Sequence, residues 1–213
     1  MPSKLRLRYI FRPLVELMAK GLNRIGVSPN LATIFMLISA IIGSIFLIAH
    51  GFLLFSLFIF LCGLLDGCDG AIARLTNKST KFGGFFDSIM DRFSEFIIFL
   101  GLFIFCWDQL LWNLIDMKLI IFISFLASIM ISYTRSRAEN FYKGDFDVGL
   151  MARSERLFYL MITSLIAFFY GFFNEFLFIF MWLVIGTAIF RYIKLSFLIK
   201  ENERDKLKSI QKS

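Results

Sequence analysis

Six long apolar runs decide what this chain can become. They cover residues 31–49, 52–73, 84–106, 118–138, 157–173 and 176–198. A helix needs about 20 apolar residues to cross the hydrocarbon core of a bilayer, since each residue rises only about 1.5 Å. No water satisfies the backbone there, so a spanning segment must make its own hydrogen bonds. The expected fold is an all-α integral membrane protein with six transmembrane helices. Hydrophobic residues make up 58% of the 213, Phe alone supplying 29, and no stretch is left for a second, soluble domain.

Charge sets the direction of insertion. With the N-terminus in the cytoplasm and the spans alternating, every Lys and Arg except Lys118, of 23 in all, falls on the cytoplasmic side. The positive-inside rule therefore places both the N- and C-termini in the cytoplasm. The expected setting is a multi-pass protein of the plasma membrane with its active site facing the cytoplasm. The net charge of +7 suits an anionic leaflet and anionic substrates, and it calls for no nucleic acid. Residues 4–24 mix basic and apolar side chains at helical spacing and read as an amphipathic helix on the cytoplasmic surface. Gly26 and Pro29 break that helix and open the next. The chain thus divides into a juxtamembrane helix (1–28), a membrane domain (29–199) and a polar cytoplasmic tail (200–213). No cleavable signal peptide is expected. Cys62, Cys68 and Cys106 show no metal-binding spacing, and His50, the single histidine, falls in a turn far from other ligands.

Four aspartates stand out against this apolar background. Asp66, Asp69 and Ala73 lie at i, i+3 and i+7, on one helical face; Gly83, Asp87 and Asp91 lie at i, i+4 and i+8, on another. The two helices are consecutive and antiparallel, so their cytoplasmic ends can bring four carboxylates together. Carboxylates in a low-dielectric site repel one another, and divalent cations relieve that repulsion. Oxygen ligands without His or Cys favour Mg²⁺ or Mn²⁺. Two other readings stay open on spacing alone. The acids could pair with Arg74, Arg92 or Lys81, or they could line a cation or proton pathway of a small transporter. Their confinement to one end of the two spans favours a pocket over a through pathway.

The run Asp66-Gly67-x-Asp69-Gly70-x-x-Ala73-Arg74, eight residues, then Gly83-x-x-x-Asp87-x-x-x-Asp91 resembles the signature of the CDP-alcohol phosphotransferase family, with every position filled. The resemblance implies transfer of a phosphatidyl-type group from a CDP-lipid to an alcohol, with release of CMP. It implies two Mg²⁺ or Mn²⁺ ions per subunit held by Asp66, Asp69, Asp87 and Asp91, with Asp91 also removing the proton of the attacking hydroxyl. It implies a homodimer. It also implies a CDP-lipid site at Pro29, Asn30, Leu31 and Ala32, with Thr33 beside them, and at Gly70, Arg74 and Thr80.

The segments "SYTRSRAE" (132–139) and "VGLMARSERL" (148–157) resemble the inositol-phosphate branch of that family. That branch implies an acceptor-phosphate site at Arg135, Arg156 and Arg191, with Arg153 as a further arginine of the segment. Arg135 stands where Lys is usual, and Ala152 stands where the bacterial pattern has Glu. The resemblance makes inositol 1-phosphate the expected acceptor, with glycerol 3-phosphate the nearest competitor. The donor is CDP-diacylglycerol or CDP-archaeol.

Overall fold

The structure is a computed structural model, and it describes residues 7–141 and 148–210. Residues 4–6 of the expected surface helix, 142–147 of the loop before Arg153 and 211–213 of the tail lie outside the described residues.

The described chain is helical apart from one small hairpin. Two short N-terminal helices, α1 (Leu7–Ile10) and α2 (Arg12–Arg24), precede α3 (Pro29–Ile48), α4 (Phe52–Leu75) and α5 (Lys81–Phe105). Strands β1 (Leu110–Leu111) and β2 (Ile115–Asp116) then pair antiparallel, Leu110 opposite Asp116. Helices α6 (Met117–Glu139), α7 (Arg153–Tyr170) and α8 (Phe173–Ile210) complete the chain. The sequence reads 106–118 as a plain connection. The structure turns it through Trp112 and Asn113 at φ 52 and 57, the left-handed pair that a tight hairpin requires.

Helix starts follow from local chemistry. Ser28 caps α3 by accepting the Leu31 N–H at 3.3 Å, with Pro29 in the first turn where its missing N–H costs nothing. The Thr80 hydroxyl caps α5 through the Gly83 N–H at 2.9 Å, and Asp116 caps α6 through that of Lys118 at 2.8 Å.

Six long helices sit close to the six expected spans. Four of them, α3, α4, α6 and α8 over Phe173–Arg204, are long and apolar enough to cross a membrane. Helices α5 and α7 are not as apolar. Asp87, Asp91, Arg92 and Glu95 crowd one half of α5, and Arg153, Glu155 and Arg156 open α7. Helix α8 also runs beyond the expected boundary at 198, continuing through Ile210 into the segment read as a polar tail.

Helix α3 packs against both α4 and α5, α4 against α7, and α6 against α8. Small residues set the close crossings. A Cβ added to Gly101 of α5 would lie 2.7 Å from the Ser44 Cβ of α3. Helix α2 is fastened to the end of α4 that carries the aspartates: Ala19 is fully buried, and the Cys68 thiol donates to the Val15 carbonyl at 3.7 Å. Val15 rests on Gly67, where a Cβ would come within 3.0 Å of its methyl group.

Candidate active site

Helices α4 and α5 bring the aspartates together as their spacing predicts. Asp66, Asp87 and Asp91 each offer a carboxylate oxygen, and the three atoms lie within 4.8 Å of one another. Asp69, only 7% exposed, adjoins this group through its interaction with Asp87. Its Oδ2 accepts from the Thr33 hydroxyl at 2.7 Å, which ties the start of α3 to the cluster. Thr33 also lies 3.3 Å from the Pro29 carbonyl, but one hydroxyl proton serves one strong bond, and the shorter contact is with Asp69.

Among the described residues, the cation in direct ion-pair contact with Asp66 and Asp91 is Arg153, from the first turn of α7, while Arg92 acts on Asp87 only through its field. Arg153 Nη1 pairs with Asp66 Oδ1 and lies 2.6 Å from Asp91 Oδ1. Its Nη2 donates to the Ser94 hydroxyl at 2.7 Å and meets the Met36 sulfur at 3.3 Å. Ser94 in turn donates to the Asp91 carbonyl at 2.9 Å, so α5 holds the arginine as well as facing it.

The cluster fits a divalent metal. Its donors are hard oxygens, with no His or Cys among them, as Mg²⁺ and Mn²⁺ prefer. Asp87 Oδ1 is buried with no hydrogen-bond donor. A buried acceptor left this way costs about 1–3 kcal/mol, and a bound cation removes that cost.

Two cavities meet at the cluster. The larger, about 680 Å³, is bordered by Asp66, Asp69, Gly70, Arg74, Asp87 and Asp91, with Phe11, Arg12, Val15 and Glu16 of the N-terminal segment over it. The Arg12 guanidinium donates to Glu16 at 2.8 Å and holds that carboxyl below its usual range. The smaller cavity, about 260 Å³, is lined by Arg92, Arg135, Arg153, Arg156 and Arg191 together with Glu95 and Glu139. Asp91, Arg135, Ala152 and Arg153 border both, so the wall between the cavities includes one aspartate of the cluster and the arginine paired with it.

The other candidate residues are placed less uniformly. Arg74 lies in the last turn of α4, its Nη1 3.3 Å from where a Cβ on Gly70 would stand; Gly70 keeps that space open for the guanidinium. Asn30 and Thr80 both adjoin Gly83. Ala32 is fully buried and packs with Ala19, Cys68 and Ile72, while Leu31 is exposed; like Pro29, Asn30 and Thr80, they do not border the larger cavity.

Two of the expected phosphate ligands have other partners. Arg156, 2% exposed, pairs with Glu95 through Nε at 2.7 Å and Nη2 at 2.6 Å, and its Nη1 donates to the Met151 carbonyl at 2.9 Å. Arg191, also 2% exposed, donates to the carbonyls of Val148 and Ile131 at 2.8 and 2.9 Å. Arg135 pairs with Glu139 at 2.9 Å on its own helix. Sequence reasoning missed Glu95 and Ser94. Glu95 was within reach of it, since it extends the Gly83, Asp87, Asp91 series by a further four residues.

Residues 26–190 match the sequence profile of the CDP-alcohol phosphatidyltransferases. The chain belongs to that family. This CDP-alcohol phosphatidyltransferase is 33% identical over 165 residues to the archaetidylinositol phosphate synthase of Pyrococcus horikoshii, across 78% of this chain and 82% of the relative. It is 31% identical over 157 residues to the phosphatidylinositol phosphate synthase of Mycobacteroides abscessus, across 73% of this chain and 70% of that one. The crystal structure of Mycobacterium tuberculosis phosphatidylinositol phosphate synthase with CDP-DAG bound superposes with a TM-score of 0.71. The two are 24% identical, over 88% of this chain and 94% of that one. The same mycobacterial protein in complex with manganese and citrate gives 0.72 at 24% identity, over 87% and 88% of the two chains. These superpositions establish a shared fold. Membership in the family makes the chain a transferase and sets aside the transporter reading of the aspartates.

Proposed function

We propose that this phosphatidyltransferase moves a diacylglycerol- or archaeol-phosphate group from a CDP-lipid to inositol 1-phosphate and releases CMP. One observation carries the reading. A chamber bordered by five arginines shares Asp91 with the larger cavity. The names of the two relatives support the same acceptor. The larger cavity accommodates the CDP-lipid headgroup, with Arg74 and Gly70 toward the pyrophosphate; the nucleotide end extends beyond that cavity, with Pro29, Asn30, Leu31 and Ala32 shaping it and Thr80 donating a further hydrogen bond. The smaller chamber takes the acceptor phosphate beside Arg135 and Arg153, while Arg156 and Arg191 hold its walls. An arginine fork matches a phosphate monoester in charge and geometry.

Asp66, Asp69, Asp87 and Asp91 hold two Mg²⁺ or Mn²⁺ ions in this reading. Bound there, such ions neutralise the pyrophosphate and the departing phosphate. The remaining chemistry belongs to the chain. Asp91, on the wall between the cavities, takes the proton of the acceptor hydroxyl. The hydroxyl oxygen bonds to the lipid-bearing phosphorus as that phosphorus releases its bridging oxygen to CMP. The reading also includes six spans, a plasma-membrane homodimer, a surface helix formed by α2, and an active site on the cytoplasmic side with both termini.

The test is CMP release by purified protein given CDP-diacylglycerol or CDP-archaeol, Mg²⁺ or Mn²⁺, and a panel of alcohols. Release is expected with inositol 1-phosphate, and EDTA is expected to abolish it. Release with glycerol 3-phosphate alone would refute the acceptor and leave the family chemistry in place.

A further inference from the structure

The position of Arg153 raises a question the transfer reaction does not answer. Its guanidinium lies against Asp66 and Asp91, two of the three carboxylates whose oxygens gather within 4.8 Å. A divalent ion held by those oxygens at about 2.0–2.1 Å would put two further positive charges beside it. Guanidinium and metal therefore compete for one set of anions.

We propose that Arg153 is the resident counter-cation of the metal-free site, and that divalent ions load by displacing it from Asp66 and Asp91. The inference rests on the metal chemistry proposed above. Three features of the structure support it. The arginine pairs its charge with two carboxylates that would otherwise repel each other across α4 and α5. The chain leading into α7 is held by Arg156 at the Met151 carbonyl and by Arg191 at that of Val148, and the helix itself holds the backbone beyond, so a change of partner falls to the side chain. The side chain also has somewhere to go, because Arg153 borders the adjoining chamber as well as the larger cavity.

The device makes the metal-free protein tolerant of its own acidic cluster and lowers its affinity for metal. Removing the guanidinium is expected to separate those two effects. Calorimetric titration of detergent-purified protein with Mn²⁺ should show Arg153→Gln binding about tenfold more tightly than wild type, as expected for losing a like charge within a few ångströms. Without metal, Arg153→Gln should melt below wild type, and saturating Mn²⁺ should close most of that gap. Arg153→Lys keeps the charge but loses the fork that joins Asp66, Asp91 and Ser94; it is expected to bind Mn²⁺ about threefold more tightly than wild type. An affinity equal to or below wild type, in whichever variant folds, overturns the inference and leaves the transferase reading intact. If wild type and variants alike bind no Mn²⁺, the proposed metal site fails and this inference fails with it.

Discussion

The two ends of the helical bundle obey opposite rules. At one end Phe52, Phe105 and Phe173 meet edge to face, their ring centroids 5.1–5.8 Å apart. These contacts are apolar and gain from close packing alone. At the other end Asp66, Asp87 and Asp91 are held within 4.8 Å, and Glu95, Arg153 and Arg156 are drawn into the same region. Like charges so close oppose folding. The aromatic end must therefore stabilise the bundle enough for the charged end to stay assembled. What distinguishes the ends is whether a group's neighbours suit its charge or suit a ligand.

The largest expected effect lies at the charged end. Asp91→Asn should lower CMP release by about a thousandfold, the scale on which a positioned base and metal ligand act. Its melting temperature should stay near that of wild type, since the change removes a repulsive charge among the acids and leaves Arg153 its pairing with Asp66. A variant that loses stability and activity in parallel would show that Asp91 supports the fold. Next comes Glu95, the buried partner of Arg156. Glu95→Ala leaves an unpaired guanidinium in the interior and should cost about 3–5 kcal/mol in chemical or thermal unfolding. Replacing both partners by Leu should recover most of that loss. If Glu95→Ala keeps its stability and instead raises the KM for the acceptor, Arg156 is a phosphate ligand and not a clamp.

The aspartates were legible in the sequence because helical spacing alone puts them on facing surfaces of consecutive helices. Asp66 and Asp69 need only α4, and Asp87 and Asp91 need only α5. Arg153 was harder to read, because its partners depend on how α7 crosses α4 and α5, and nothing within residues 148–157 encodes that crossing. Arg156 and Arg191 carry the same residue type as phosphate ligands elsewhere, so sequence assigned them that role; burial turns their donors toward Glu95 and main-chain carbonyls. Hydropathy located all six long helices. It left α5 and α7 short of apolar character because the charges of the site are carried on them.

At the aromatic end the sharper test is Phe55, fully buried beside Gly43. Phe55→Ala should cost about 3 kcal/mol, near the lower end for a core aromatic, because packing and not water exclusion holds helices together in lipid. The kcat/KM of the folded fraction should not change. A fall in kcat/KM at constant fold would mean that the two ends are coupled.

The smallest effect should come from Thr33, which touches the charged end from a helix that supplies none of its carboxylates. Its hydroxyl fixes Asp69 Oδ2 at 2.7 Å. Thr33→Val keeps the shape and removes that donor. Loss of such a supporting bond typically weakens metal affinity about tenfold, while the main-chain cap of α3 at Ser28 is untouched. Calorimetry with Mn²⁺ should therefore show weaker binding with little change in metal-free melting. The sign is opposite to that expected for Arg153→Gln, since Thr33 orients a ligand and Arg153 competes with the ion that ligand holds. Unchanged Mn²⁺ affinity in Thr33→Val would mean that Asp69 is positioned by α4 alone.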